Sequence, residues 1–587
     1  EVDERLPVYP NRYRTSMGQV RIGSPKARKH RIHFVRDCGG IPDSPSAAWH
    51  NQAALNTSMA LLEPSEVLVI PAHTFHVMGG IEAVDLRGVT IQIDGELIFS
   101  PDVFAWPHYD DGYTHRAGLA FRNSSGLTLT SRGQGKLNGN GRAWWSLPGL
   151  GYVIHGETRP RLLTIENSFN VLVERLLLVD SPYWTTLFTG VDTLEVRDCG
   201  IVARRTNALT HGPADLSAFN TDGFDVAGRN VWIHDCQIWS QDDAIAVKDH
   251  SSRINESFSM PLPSENMLFE RINASGVGLA IGSIGRSLVR NITFRDCYLR
   301  NTVKGLYLKW NKGIGGVIMD VTYERIVLDA PEQWPIWVGP AQQADRINLC
   351  FANPCSLCWP QIPGAPCAGS TTNQFKRLSF IDIEIFKPAQ SPGVLLATTE
   401  MPMDEVHFHN VRIHPECNAS SRFFADGFTG SFSRLPSSVN PDVRITMHYA
   451  LLVSCAAAFV LGPLACWVHS ISVCSTWVRR GGACALTCVG LLMVRLSAIS
   501  IHLYDTAQFY KCEGIERGVA SGDTWPVPAC FEDRTYRTAP RPVACVDTAL
   551  GGLLRPALVA AVAFLGAWCC TRLSANAFSY KPYPKFK

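Results

Sequence analysis

The chain has 587 residues, with 54 basic against 52 acidic side chains and a formal net charge of +2. This length exceeds one ordinary compact core, so we expect one large repetitive domain and an additional segment. The near-zero net charge gives no electrostatic reason to expect nucleic acid as a partner, and we predict none.

The N-terminal part divides into an extension and a cap. We assign residues 1–34 to the extension, where Glu1–Arg5 is charged instead of apolar as a signal peptide would require. If the protein is secreted, we expect this numbering to begin at or near the mature end. Ala47–Leu62 has a helix-compatible apolar pattern and precedes the apolar run Val67–Pro71. We predict that this helix caps the open end of the next domain.

We assign residues 35–430 to one domain, in which a short phrase recurs from Leu86 to Ile413: alternating apolar residues, then a charged pair or Asp-Cys, then another apolar pair. The aligned positions of the phrase are separated by 23, 37, 36, 25 and 29 residues; they are Val173, Val196, Ile233, Phe269, Phe294 and Tyr323. Each repeat is too short to bury its own inner face, so neighbouring repeats must stack. We predict an all-β domain, a right-handed parallel β-helix. A β-propeller is the competing interpretation, but tight hairpin turns are sparse between the repeats.

Three carboxylates occur close together in the repeats. Asp222 belongs to Asn220-Thr221-Asp222-Gly223, and Asp242 and Asp243 follow about twenty residues later, each motif directly before an apolar strand. Acid/base cleavage of a glycosidic bond requires carboxylates at such proximity, so we predict a carbohydrate-active site. Adjacent strand residues point to opposite faces, and we therefore expect the backbone to bend at Asp242 and Asp243.

The cysteines favour an oxidising compartment. Four of the 19 cysteines crowd into one proline-containing loop: Cys350, Cys355, Cys358 and Cys367. We predict disulfides there, because the zinc alternative lacks a second CxxC or a histidine pair at finger spacing. Three other cysteines occupy equivalent repeat positions and predict a buried stack; they are Cys199, Cys236 and Cys297. Sequons at Asn56, Asn123, Asn255, Asn273, Asn291 and Asn418 fit a secreted glycoprotein.

Residues 431–587 lack the repeated phrase and contain long apolar runs. The candidate membrane spans are residues 449–469, 484–501 and 551–570. The positive-inside rule would place the β-helix outside the cell, so we predict a helical, membrane-anchoring extension. Two alternatives remain: buried helices of a small domain, and an extension without a stable fold of its own.

Several further segments carry a resemblance to a known family. They are Asp37–Gly40, Val69–Ala72, Ile91–Gly95, Gly139–Trp145, Arg159–Leu163, Asn167-Ser168 and Ser181–Trp184. With these segments and the carboxylate motifs, the chain from about Val35 to Ile413 resembles the pectin-lyase-like β-helix proteins, and within them the polygalacturonase-type glycoside hydrolases of family 28.

The resemblance implies a role for each carboxylate. Asp242 would protonate the leaving oxygen, while Asp222 and Asp243 would hold and deprotonate the attacking water. The implied outcome is inversion at the anomeric carbon, for which acid and base are expected roughly 6.5 to 9.5 Å apart. A like-charged neighbour should raise the proton affinity of one carboxylate, as an acid working at mildly acidic pH needs.

Two motifs of the family are altered. Val277 stands where a histidine belongs, and Tyr307 stands where an arginine belongs, while Lys309 keeps the lysine of the same motif. In polygalacturonases the arginine and lysine are associated with the galacturonate carboxylate. Lysine alone lacks the bidentate contact of arginine, so we expect a pectin-type or related cell-wall or algal polysaccharide other than plain polygalacturonate.

We assign substrate-binding roles to five residues: Asn220, Ser283, Tyr307, Lys309 and Trp310. Tyr307, Trp310 and Trp334 would offer ring faces for sugar stacking.

The leading hypothesis is an inverting, polygalacturonase-like glycoside hydrolase, secreted or at the cell surface. We expect a monomer that needs no cofactor and no metal. The alternative is a non-catalytic glycan-binding or structural β-helix at the cell surface. A lyase ranks lower, because the carboxylate motifs belong to the hydrolases and no calcium-site cluster stands out.

Overall fold

The computed structural model describes residues 30–145, 158–212, 214–249, 263–285, 287–311, 315–343, 352–359, 365–389, 393–414, 424–426 and 428–433. Within these ranges the α-helices are α1 (Phe34–Cys38) and α2 (Ala48–Ala60), and short 3₁₀ helices cover Pro45–Ala47, Gly141–Ala143 and Asp215–Ala218. Strands make up most of the remaining secondary structure.

The strands of the first half are β1 (Arg31–His33), β2 (Val67–Ile70), β3 (Thr74–Val77), β4 (Ile81–Val84), β5 (Thr90–Ile93), β6 (Glu96–Phe99), β7 (Leu119–Arg122), β8 (Thr128–Thr130), β9 (Gly135–Asn138), β10 (Leu163–Glu166), β11 (Phe169–Glu174), β12 (Leu176–Val179), β13 (Thr186–Arg197) and β14 (Gly200–Val202). Those of the second half are β15 (Phe224–Trp239), β16 (Ile245–Val247), β17 (Ser264–Ser275), β18 (Leu279–Ile284), β19 (Leu288–Arg300), β20 (Leu306–Trp310), β21 (Val317–Asp329), β22 (Ile336–Pro340), β23 (Gln342–Gln343), β24 (Cys355–Ser356), β25 (Gln374–Phe386), β26 (Gly393–Leu396), β27 (Met403–His414), β28 (Phe424–Asp426) and β29 (Phe428–Ser433).

Parallel pairing arranges these strands in three ladders, apart from β23 and β24, which pair only with each other. Ladder 1 contains β1, β2, β5, β8, β11, the later parts of β13 and β15, and then β17, β19, β21, β25, β27 and β29. Ladder 2 begins with β3, β6, β9, β12 and β14 and continues in the ends of the long strands. Ladder 3 contains β4, β7, β10, the first parts of β13 and β15, and then β16, β18, β20, β22, β26 and β28. A sheet of this topology is a parallel β-helix.

The register confirms the predicted stacking. The six aligned residues pair in sequence, Val173 with Val196, then Ile233, Phe269, Phe294 and Tyr323. The last three residues of this row form an aromatic stack. The ring centroid of Phe294 lies 4.7 Å from that of Phe269 and 4.8 Å from that of Tyr323. All three rings are fully buried. Successive rungs therefore bury each other's inner faces, which no rung could do alone.

The charged pairs of the repeated phrase form ion pairs between rungs. Arg197 contacts Glu174 of the preceding rung at 2.6 Å, and Arg271 contacts Asp235 of the preceding rung at 2.7 Å. The cysteines beside these pairs are free and buried, as predicted; Cys236 lies beside Cys199 in the core. The charged side chains of each repeat thus lie on the outer face of the β-helix, while the neighbouring cysteine packs in its interior.

The cap and the loop cysteines also agree with the predictions. Helix α2 covers the N-terminal rungs, and its buried Asn51 donates to the carbonyls of Ile41 and His76. Cys355 and Cys367 form a disulfide, and Cys358 is disulfide-bonded as well.

Several predictions fall on residues that are not described. The C-terminal region beyond residue 433, with its three candidate spans, lies outside the described residues, as do residues 1–29 and Cys350. Among the residues that are described, none belongs to a helix long and apolar enough to span a membrane.

We predict that Phe294→Ala lowers the free energy of unfolding by about 3 to 5 kcal/mol, because it opens a cavity between two stacked rings. Denaturant unfolding of the variant measures this loss. Phe104→Ala is the control, since Phe104 is 97% exposed and should change stability by less than about 0.5 kcal/mol. Equal losses in the two variants would contradict the buried stack.

Candidate active site

The three predicted carboxylates meet at adjacent rungs of ladder 3. Asp222 precedes β15, and Asp242 and Asp243 precede β16. The backbone N–H of Gly223 donates to the carbonyl of Asp243 at 2.8 Å, so Asp222 and Asp243 lie side by side. A Cβ on Gly223 would lie 2.3 Å from the carbonyl of Ala244, so glycine permits the rungs to approach here. The chain bends at Gln241 and Asp242, as expected for neighbouring carboxylates that share one site.

One oxygen of each carboxylate lies within 4.8 Å of an oxygen of the other two. Asp242 Oδ2 accepts from the side-chain amide of Asn220 at 3.0 Å, and Asp242 Oδ1 accepts from the backbone N–H of Asp243 at 2.8 Å. Asp222 and Asp243 each keep one buried oxygen that has no hydrogen-bond partner within the described part of the chain. Asn220 therefore orients Asp242, while the other two carboxylates retain accepting capacity.

The nearest oxygens of the three carboxylates lie within 4.8 Å of one another, a distance that one water molecule can bridge with a hydrogen bond to each oxygen. The separation of roughly 6.5 to 9.5 Å expected for an inverting pair refers to whole carboxyl groups. Inversion therefore stays a prediction.

A fourth carboxylate and two lysines complete the charged cluster. Lys309 Nζ lies 2.6 Å from Asp243 Oδ2. Lys248 Nζ lies 3.1 Å from Asp225 and 3.7 Å from Asp222. Asp225 pairs with Ala246 of β16, and Lys248 comes two residues after Ala246. Because side chains two positions apart point to the same side of a strand, Asp225 and Lys248 share the outer face. The cluster contains four carboxylates against two paired ammonium groups.

Burial dominates the electrostatics of this cluster. Asp225 and Asp243 are fully buried, and Asp242 is only 6% exposed. Burial, reinforced by the Asp243 carboxylate, raises the pKa of Asp242 to about 6. Burial likewise raises the pKa of Asp225 to about 6 and that of Asp222 well above its ordinary value, with Lys248 opposing both shifts. The site therefore retains protons at mildly acidic pH.

A second pair of cations lies around Tyr307. The ammonium groups of Lys309 and Lys304 lie 4.4 Å and 4.9 Å from the centroid of the Tyr307 ring. Lys304 also donates to Gln333 Oε1 at 3.1 Å. Burial and the nearby Lys309 lower the pKa of Lys304 to about 7, so Lys304 carries its charge at mildly acidic pH. Sequence analysis missed Lys304, which comes from the turn before β20.

The structure corrects the expected stacking faces. Trp310 lies in the main core because it follows the inward positions of β20, and its ring is not available to a sugar. Tyr307 and Trp334 are 3% and 4% exposed and pack in an outer cluster with Val277, Trp337 and Cys355. Ser283 is half-buried on β18, which pairs with the strand of Lys309. The aromatic ring beside the carboxylates is instead the half-buried Trp184, 4.9 Å from Lys248 Nζ.

A histidine supports the site from another part of the chain. His211 is buried and contacts Gln241 Oε1 at 2.8 Å and Ser275 Oγ at 2.9 Å. Burial lowers its pKa. His211 thus holds the residue that precedes Asp242, although Val277 occupies the family's histidine position. No motif in the sequence pointed to His211.

The three carboxylates are also a group that offers oxygens for a metal ion. The ammonium groups of Lys248 and Lys309 lie 3.7 Å and 2.6 Å from two of these carboxylates. These positive charges would repel a cation at the same oxygens. We therefore assign no metal to this site.

A family model for glycosyl hydrolases family 28 matches residues 65–374, more than half of the chain. The chain belongs to glycosyl hydrolase family 28. This confirms the resemblance inferred from the sequence motifs.

Individual relatives agree. The chain is 30% identical over 233 residues to endopolygalacturonase I of Aspergillus aculeatus, covering 39% of this chain and 55% of that protein. It is 29% identical over 339 residues to a probable exopolygalacturonase B of Aspergillus terreus, covering 53% of this chain and 73% of that protein. The aligned regions thus span about half to three quarters of these relatives. A hyperthermoactive exopolygalacturonase from Thermotoga maritima has a similar fold, with a TM-score of 0.51 and 15% identity over 73% of this chain and 96% of that one.

We predict that the effect of Asp242→Asn on the stability of this family 28 protein is more favourable at about pH 7.5 than at about pH 4, by about 3 kcal/mol. Asp242 has a raised pKa of about 6 in the folded state. The contribution of protonated Asp242 to the stability of the fold is fully present below the ordinary pKa of an aspartate. It is lost as pH rises through about 6, because the carboxyl then becomes a buried charge. The side chain of asparagine stays neutral at both pH values.

Thermal unfolding at the two pH values measures the difference. Asp85→Asn, at a side chain that is 67% exposed, is the control and should show no such dependence. An equal effect of Asp242→Asn on stability at the two pH values would contradict the account of the buried charge.

Proposed function

We propose that this protein hydrolyses O-glycosidic bonds in a pectin-type polysaccharide, with Asp242 as general acid and Asp222 and Asp243 as the groups that activate water. The observation that carries the proposal is the meeting of three buried carboxylates within 4.8 Å. Membership of glycosyl hydrolase family 28 supports the reaction class.

The environment of Asp242 suits an acid. Its pKa of about 6 keeps the carboxyl protonated at mildly acidic pH, ready to donate to the leaving oxygen. Asn220 fixes the orientation of the carboxyl through its 3.0 Å hydrogen bond. Among the described residues, Asp222 and Asp243 each have an oxygen without a partner, and these oxygens are suited to accept hydrogen bonds from the attacking water. Asp243, which pairs with Lys309, is the group suited to take the proton of the water, because burial raises the pKa of Asp222 well above its ordinary value.

The charges around Tyr307 favour an acidic sugar. Lys309 alone would replace the family's arginine and lysine poorly, but Lys304 contributes a second ammonium group over the same ring. Two cations on this side of the carboxylates suit the carboxylate of a galacturonate unit. We therefore propose a galacturonate-containing backbone, and the missing arginine is no longer a reason to exclude polygalacturonate itself. The names of the relatives, which are polygalacturonases, support the same substrate class.

We further propose that the protein acts outside the cell. The Cys355–Cys367 disulfide supports an oxidising compartment. Anchoring through residues beyond 433 and a monomeric state remain predictions from the sequence.

We predict that the full chain releases reducing ends from polygalacturonate and that Asp242→Asn lowers this rate by about 10²- to 10⁴-fold. Activity should fall as pH rises through about 6, because Asp242 must be protonated to act as an acid. A colorimetric reducing-end assay measures both effects, with rhamnogalacturonan, xylogalacturonan and algal polysaccharides tested in parallel. Asp85→Asn should retain full activity.

Two outcomes would contradict the proposal. No release from any polymer, with binding to one of them retained, would identify a glycan-binding protein. An unsaturated product that absorbs in the ultraviolet would identify a lyase.

A further inference from the structure

A buried guanidinium lies close to the carboxylates along ladder 3. The backbone N–H of Leu162 donates to the carbonyl of Trp184, and that of Thr185 donates to the carbonyl of Asp222. Arg161, Trp184 and Asp222 therefore occupy equivalent positions in successive rungs, which are about 4.8 Å apart. Trp184 and Asp222 both contact Lys248, so their side chains share one face.

Arg161 has hydrogen-bonding capacity that no described residue uses. It is 9% exposed, and its Nε and Nη2 atoms are buried without a hydrogen-bond partner among the residues that the structure describes. Its guanidinium stacks on the rings of Trp184 and Tyr183, with centroids at 4.8 Å and 5.4 Å. Ring contacts hold the guanidinium but satisfy none of its N–H groups. Leaving buried donors unsatisfied is costly unless a ligand completes them.

Lys248 and Lys309 each have a carboxylate partner within the protein. Lys248 pairs with Asp225 and Asp222, and Lys309 pairs with Asp243. Among the described residues, no ion pair joins Arg161 to a carboxylate at this face. Arginine presents a planar fork that fits a carboxylate. The half-buried Trp184 stacks on Tyr183, with ring centroids 5.2 Å apart, and the part of its indole that stays exposed offers an apolar contact to a sugar.

We infer that Arg161 is a specificity-determining residue that binds the carboxylate of a uronic-acid unit on the N-terminal side of Asp222, with the sugar ring against Trp184. This inference rests on the proposed function, since it names a sugar subsite of the same cleft. The substrate then runs along the β-helix axis, with acidic units recognised by Arg161 on one side of the carboxylates and by Lys309 and Lys304 on the other.

Calorimetric titration of a galacturonate trimer tests the inference in the full-length Asp242→Asn protein, which should bind the trimer without turning it over. Adding Arg161→Gln should weaken binding of the free acid by about tenfold to a hundredfold, the range for a charge-assisted hydrogen bond. Binding of the fully methyl-esterified trimer should not change, because the ester removes the charge that Arg161 recognises. Arg87→Gln, at a side chain that is 51% exposed, is the matched control.

Melting curves establish that each variant is folded. If Arg161→Gln does not fold, Arg161→Lys replaces it, since lysine keeps the charge but loses the fork and should still weaken binding of the free acid. Unchanged affinity for the free acid, equal losses for acid and ester, or no binding of the trimer to the parent would overturn the inference. If Arg161→Gln weakened binding of the free acid alone, but the wild-type protein did not hydrolyse the trimer, only the hydrolase proposal would be overturned.

Discussion

The burial of four carboxylates against two paired lysines is the constraint on which the site depends. Parallel rungs about 4.8 Å apart bring Asp222, Asp225, Asp242 and Asp243 to one face with almost no solvent. Four negative charges cannot all persist there, because each loses its hydration and repels the others. Lys248 and Lys309 compensate part of the charge, and bound protons compensate the rest. A protonated carboxyl at mildly acidic pH is therefore a consequence of the packing.

Much of the fold could be predicted because the repeats carry a local signal. The alternation around Val173, Val196 and Ile233 identifies inward positions, and these residues pair in one row. The helix α2 and the buried cysteines follow from equally local patterns. The carboxylates were also found from short motifs, because each motif directly precedes its strand.

Contacts between rungs could not be predicted in the same way. The partners Asp225 and Lys248, or Lys304 and Tyr307, depend on register and on turn conformations that the spacing of the repeats does not determine. Trp310 is a different case. In β20 the residues Leu306 and Leu308 point inward, so alternation alone places Trp310 in the core and Lys309 outside. The aromatic ring of Trp310 suggested a sugar-stacking role, but the alternation of the strand already indicates that this ring points into the core.

Stereochemistry is the most informative property of the reaction, because it distinguishes the two ways in which this group of carboxylates could act. The family resemblance implies that water attacks directly and inverts the anomeric carbon, whereas attack by a carboxylate nucleophile would retain its configuration. Asp222 and Asp243 each have an unpartnered oxygen that suits a bound water, and we favour direct attack by water. Proton NMR of the first product from a galacturonate oligomer, recorded before mutarotation, tests this claim directly. The account predicts the inverted anomer, and the retained anomer would contradict it.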